Sequence, residues 1–203
     1  MVDEQLTAPH LFHFWLATES TCLHCNAHVE DSVQHCSRLS LNIGSPLLAG
    51  IGNVNEALAL QALNGEAGFS SISCNQCQAA DRGVIKHGSQ LTGINRYLLI
   101  WLPRIRNGAP GMGPMKVHDH MRLCDEIDCS SWTVCSENAK LRLRAAVRHY
   151  GQSANGGHYT ALVHDAASGD WHHYDDQTVS VVSPERVDQL TISEAIVAVY
   201  ELQ

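Results

Sequence analysis

The sequence has no run of lysines or arginines. Its 13 basic side chains are scattered among 21 acidic ones, for a formal net charge of -8 with histidines neutral. Binding along a phosphate backbone needs clustered positive charge, so no nucleic acid partner is expected. Long apolar runs are lacking too. The longest, Tyr97 to Leu102, is far short of the roughly 20 residues that a bilayer-crossing helix needs, so no membrane span is expected. Where a secretory leader would show a basic start and an apolar core, the chain carries Asp3, Glu4, His10 and His13. Charged residues are only 17% against 44% hydrophobic, a balance that supports a packed core rather than a disordered chain. At 203 residues such a core buries roughly 70% of the unfolded surface, so stability does not depend on disulfides.

What the chain does have is eight cysteines. In a chain with no export signal, they are expected as metal ligands, reactive thiols or small core residues. Four fall in two pairs, Cys22-Leu-His-Cys25 and Cys74-Asn-Gln-Cys77. A Cys-x-x-Cys turn lets two thiolates reach one ion, and two such turns complete a tetrahedral site of the structural zinc type. The competing readings are a redox pair or two coincidental turns. A thioredoxin-like motif would need one pair beside a βαβ pattern, and none is visible. Zinc on Cys22, Cys25, Cys74 and Cys77 is therefore the expectation. The segment between the pairs is too long for a compact zinc ribbon, and Leu39 to Ile43 reads as a strand and Val54 to Leu63 as a helix. Cys36, Cys124, Cys129 and Cys135 lack partner spacing and are expected as packing residues or incidental thiols, and His24, His28 and His35 are expected on the surface.

The C-terminal half reads as strands. Leu141, Leu143, Ala145 and Val147 alternate with Arg142, Arg144 and Arg148, as on a half-buried strand. His158 to His164, Trp171 to Asp175, Thr178 to Val182 and Ile196 to Leu202 follow, with a short helix capped by Ser183 and opened by Pro184. The class is α+β, a mostly antiparallel sheet with few helices. Asn107 to Met115 and Gly151 to Gly157 have loop composition. A hairpin turning near Ala167 to Gly169 folds Trp171 to Asp176 back along His158 to His164, setting the imidazole of His158 across from the Tyr174 to Asp176 stretch. Such a pair fixes a histidine tautomer beside a nucleophile, although a structural hydrogen bond reads the same in sequence. Alternation allows only one of Asp175 and Asp176 to share the face of His158, and sequence alone does not choose. It also sends His172 and His173 to opposite faces, so no catalytic metal is expected. Gly156 and Gly157 leave room for another chain's backbone.

Gly156-Gly-His-Tyr-Thr-Ala-Leu and Trp171-His-His-Tyr-Asp-Asp resemble the histidine box of the ubiquitin-specific protease family. Upstream, Phe12 to Leu16, the two cysteine pairs, Leu39 to Ile43 and Tyr97 to Leu102 resemble its fingers and first palm strands, in order. Ile196 to Tyr200 resembles its closing strand. The resemblance implies a papain-like fold, a mostly antiparallel palm over about 93–203 and zinc-clamped fingers over about 12–92. It implies a deubiquitinase acting on ubiquitin and ubiquitinated proteins, with His158 as general base and Asp175 as its orienting partner. Asp176 supports the site, and Gly156, Gly157 and Tyr159 contact the substrate. The family's cysteine box and thumb are missing. Thr21-Cys22 lacks the Gly-Asn of that box, so Cys22 is not taken as nucleophile. Pro103 stands where the family pattern has a strand donor and is expected to disturb a central strand. Two functions follow: the fingers and palm of an active enzyme whose nucleophile lies outside this chain, or an inactive ubiquitin-binding scaffold. The free thiols and missing leader point to the cytoplasm or nucleus.

Overall fold

A computed structural model describes residues 11–22, 24–45, 48–64, 74, 76–77, 85–107, 111, 113–130 and 139–203. Cys135 and part of the Asn107 to Met115 loop lie outside the described residues. The strands are β1 (Phe14–Cys22), β2 (His28–Cys36), β3 (Leu39–Ser40), β4 (Ile85–Ile94), β5 (Tyr97–Trp101), β6 (Ile105–Arg106) and β7 (Met115–Lys116). They continue as β8 (Glu126–Asp128), β9 (Lys140–Tyr150), β10 (His158–His164), β11 (Trp171–Asp175), β12 (Thr178–Val182) and β13 (Ala195–Leu202). The helices are α1 (Val54–Asn64) and α2 (Pro184–Thr191). Among the described residues, no helix is long and apolar enough to cross a membrane.

The expected α+β architecture is the one observed. A three-stranded antiparallel sheet runs β2-β1-β4, and an eight-stranded sheet runs β12-β11-β10-β9-β13-β5-β3, with β8 added on the N-terminal part of β9. Every pairing in the larger sheet is antiparallel except β3 with β5. Both helices start where the sequence signals them. Asn53 Oδ1 accepts from the N–H of Glu56 at α1, and Ser183 caps α2 by accepting from Arg186 N–H, with Pro184 in the first turn.

Three local expectations are corrected. Leu39 to Ile43 forms only a two-residue strand, and it joins the larger sheet through β5. Pro103 lies beyond the ladder and costs it no donor, because β5 ends at Trp101 and Leu102 N–H donates to the Ile196 carbonyl. The β9 alternation is broken by a bulge: Val199 faces Ala145 but Tyr200 faces Leu143. The extra residue, Arg144, switches the strand's faces. Leu141 and Leu143 are buried as expected, but beyond the bulge the buried residues are Ala146, Arg148 and His149, with Ala145 and Val147 only half-buried.

The core lies on one side of the larger sheet. Leu98, Ile100, Ala146, Leu162, Ala198 and Tyr200 pack there against Val54, Ala57 and Leu58 of α1, Val187 of α2 and the chain around Met121 and Leu123. His158, Thr160 and Leu162 share that side of β10 by alternation, so the histidine stands at the open end of a strand whose next inward residues are buried.

Candidate active site and metal centre

The β10–β11 ladder pairs Ala161 with Tyr174 and His164 with Trp171, and extending that register puts Asp175 opposite Thr160. His158 and Asp175 are therefore diagonal neighbours on one face, two residues out of direct opposition, and not facing partners as the hairpin alone suggests. The register also settles the choice between the aspartates. Asp175 shares the face of His158, whose Nε2–H donates to Asp175 Oδ1 at 2.5 Å. Asp176 turns away in the left-handed region at φ 50°, with its nearest carboxylate oxygen 4.0 Å from Nε2 and its side chain 79% exposed.

The electrostatics follow from that bond. Hydrogen bonding to Asp175 raises the pKa of His158 above its ordinary value, and the same bond holds the Asp175 carboxyl below its own. With Nε2 bound to the carboxylate, the ring exchanges a proton through Nδ1. Next along the face, His173 Nε2 meets Thr160 Oγ1 at 3.0 Å, which braces the strand pair behind the dyad. His172 lies on the other face, as alternation requires, so the two histidines do not converge.

The glycines divide their roles. A side chain at Gly156 would meet nothing within 4 Å, whereas one at Gly157 would stand 2.3 Å from His149 Nε2 and 2.5 Å from the Tyr150 carbonyl. The space at Gly157 is therefore taken by this chain's own His149, and only Gly156 keeps the open approach expected of both. Tyr159 is 57% exposed on the opposite face from His158, with its ring centroid 4.7 Å from that of His149.

Two cations at this end of the sheet were not expected from sequence. Arg104, directly after Pro103, is 1% exposed. Its Nε donates to the Ala195 carbonyl at 2.7 Å, Nη1 to those of Asp119 at 2.8 Å and Val117 at 3.3 Å, and Nη2 to that of Ile192 at 3.2 Å. It joins the start of β13 to the chain after β7. Lys116 binds the carbonyls of His149 and Gly151. Neither has a sequence signal, because a lone cation beside a short strand reads as a solvated residue.

The four expected metal ligands converge. Cys22 Sγ lies 3.9 Å from Cys77 Sγ, Cys25 Sγ lies 3.6 Å from Cys74 Sγ, and all four sulfurs are within 4.8 Å of one another. A zinc ion about 2.3 Å from each of four thiolates sets them about 3.8 Å apart, so the cluster fits. Asn26, at φ 55°, tightens the first turn, with its N–H bound to the Cys22 carbonyl. Backbone N–H groups of Cys77 and Gln76 pull the Cys74 thiol down to about 6. At Cys25 the Ala27 N–H acts the same way, but desolvation and the three neighbouring sulfurs outweigh it and push that thiol up to about 12. Four sulfurs cannot all be anionic at this spacing without a cation between them, and the group can hold a metal ion.

A family model for ubiquitin carboxyl-terminal hydrolase matches residues 2–200. Ubiquitin carboxyl-terminal hydrolase 26 of Arabidopsis thaliana is 27% identical over 175 residues, covering 84% of this chain and 16% of its own length. Ubiquitin carboxyl-terminal hydrolase 10-A of Xenopus laevis is 41% identical over 59 residues, which are 29% of this chain and 8% of that protein. Among solved structures, the SAGA Ubp8/Sgf11/Sus1/Sgf73 DUB module bound to ubiquitin aldehyde superposes with a TM-score of 0.77 at 19% identity, covering 96% of this chain and 42% of that one. The Ubp8-Sgf11-Sgf73-Sus1 SAGA DUB module superposes with a TM-score of 0.73 at 19% identity, covering 96% and 40%. The chain thus spans less than half of each of these relatives while reproducing the fold of the solved modules along nearly its whole length. With the family model matching residues 2–200 on a papain-like ubiquitin-specific protease fold, the chain belongs to the ubiquitin carboxyl-terminal hydrolase family.

Proposed function

We propose that this chain is the fingers-and-palm portion of a thiol-dependent deubiquitinase, which cleaves the bond after the C-terminal glycine of ubiquitin with a cysteine supplied from outside the chain. The fingers take up about 12–92, apart from β3 and α1, which pack with the larger sheet, and the palm about 93–203. The observation that carries the reading is the His158–Asp175 hydrogen bond at the open end of the sheet, beside the glycine loop. His158 takes the proton of the attacking thiol at Nδ1 and returns it to the leaving amine, while Asp175 holds the Nε2 proton and fixes the tautomer. The bond to the amine breaks as the thioester forms, and water then releases ubiquitin. Asp176 adds negative charge near the imidazolium. Gly156 and Tyr159 line the approach of the ubiquitin tail, and Gly157 shapes it through its contact with His149. Zinc on Cys22, Cys25, Cys74 and Cys77 supplies no chemistry to the reaction and holds β1 to the second cysteine pair. The partners are ubiquitin and ubiquitinated proteins, and the site of action is the cytoplasm or nucleus.

The second reading is an inactive ubiquitin-binding scaffold. Among the described residues, the His, Cys, Asp and Glu side chains grouped with His158 are Asp175 and Asp176, so the two readings differ in whether a cysteine reaches the site from elsewhere. A ubiquitin vinyl probe applied to the full-length gene product separates the two. An adduct lost on His158→Ala supports the enzyme, and binding without an adduct overturns it.

A further inference from the structure

The chain enters the Gly151 to Gly157 loop at the end of β9, and the neck of that loop is closed on itself. Gly151 stands at φ 127°, and a side chain there would lie 3.2 Å from Gly157 Cα and 3.4 Å from the Gly156 carbonyl. Beneath the neck sits His149, buried, with its ring against Gly157. Lys116 reaches this point from β7, one strand of the two-stranded β6–β7 sheet in which Ile105 pairs with Lys116. Its Nζ donates to the His149 carbonyl at 2.6 Å and to the Gly151 carbonyl at 2.5 Å. These two acceptors flank Tyr150, the residue paired with His158 across the β9–β10 ladder. One ammonium therefore spans two segments that the sequence presents as independent, the β6–β7 hairpin and the glycine loop, one strand away from the imidazole.

Both bonds are charge-assisted and partly shielded from water, so they are among the stronger contacts available to an otherwise lightly held loop. The contact runs to backbone carbonyls and not to a side chain. It therefore constrains the loop's backbone at its first residue whatever the loop tip does. No other charged donor to the Gly151 carbonyl is present among the described residues.

We propose that Lys116 is a positioning residue that ties the β6–β7 hairpin to the Gly151–Gly157 loop, fixing where the start of that loop stands beside His158. The part of this inference that concerns substrate rests on the deubiquitinase reading above. The clamp itself does not.

The test uses Lys116→Met, which keeps the aliphatic stem and removes the donors, and Lys116→Arg, which keeps a charged donor. In the chain itself, amide hydrogen exchange across Gly151–Gly157 and in β6–β7 is expected to quicken about tenfold in the Met variant, a factor that one lost charged hydrogen bond supplies. The Arg variant recovers part of that protection, and exchange in β5 and β13 stays as in the parent. Unchanged loop exchange overturns the proposal, and so does uniform quickening through β5 and β13, which marks simple destabilisation. In the full-length enzyme, the Met variant raises KM for a ubiquitin substrate about tenfold and moves kcat less than about twofold. A fall in kcat at constant KM overturns the positioning role. If the unmodified enzyme proves inactive, the deubiquitinase reading fails while the exchange result still decides the clamp.

Discussion

Replacing Arg104 with methionine should destabilise the protein more than any other single exchange at the His158 end of the sheet. The guanidinium is buried and binds four backbone carbonyls, those of Ala195, Asp119, Val117 and Ile192. Burial pulls its pKa down to about 10, so it remains charged at neutral pH, with Asp119 and Glu194 opposing the shift. Methionine fills much of the volume and donates nothing. The Ile192 carbonyl keeps a donor, the N–H of Met121, but the other three lose the guanidinium. A buried acceptor left without a partner costs about 1–3 kcal/mol, partly offset because a charge no longer has to be buried. A net loss of about 4 kcal/mol is expected, which in a domain of this size lowers Tm by roughly 8–16 °C. In Arg104→Lys, a single ammonium reaches fewer carbonyls than the guanidinium, and that variant should lose about half as much. Thermal unfolding followed by circular dichroism, with metal content checked in each sample, measures both variants. A methionine variant melting within about 3 °C of the parent at equal metal content would refute the reasoning, because the carbonyls would then be satisfied without the guanidinium.

Other outcomes follow from the same geometry. The folded pKa of His158 is raised and that of Asp175 lowered, so the stability contributed by their pair is complete between the ordinary aspartate and histidine values. It fades as pH rises through the folded value of His158, and at the acid end as pH falls through that of Asp175. Asp175→Asn should shift the His158 Hε1 titration to lower pH and Asp176→Asn should shift it less, as the 2.5 Å and 4.0 Å distances require. An unmoved midpoint in the first variant would contradict the assignment. Cys74→Ser should abolish metal binding at the four sulfurs, read as metal per chain by elemental analysis, and lower the melting temperature, with unchanged values for both counting against the four-sulfur centre. Gly157→Ala forces a methyl group onto His149 and the Tyr150 carbonyl and should cost about 1–3 kcal/mol, while Gly156→Ala should be close to neutral, and equal melting of the two would be inconsistent with the packing seen at His149.

Much of this was legible in the sequence, because the signals are local. Strand-like runs between turn residues marked β10 to β13, Ser183 and Pro184 marked α2, and a doubled Cys-x-x-Cys marked the four-sulfur group. Each depends on a few neighbouring residues whose chemistry permits one conformation. The His158–Asp175 pair was legible as a pair for the same reason, since a short hairpin brings its two arms together.

What the sequence left open required residues distant along the chain to meet. The register of β10 against β11 chose Asp175 over Asp176, because a one-residue slip exchanges the faces and no single strand contains that information. The bulge at Arg144 turned Arg148 inward, and it arises only from pairing β9 with β13. Gly157 reads as open space until His149 is seen to fill it, and Arg104 and Lys116 read as solvated cations until the carbonyls of Ala195 and Gly151 arrive from residues far along the chain. Alternation, capping and ligand spacing are properties of a segment and travel with it. Register, buried charge and occupied space are properties of two segments in contact, and only the folded chain brings those segments together.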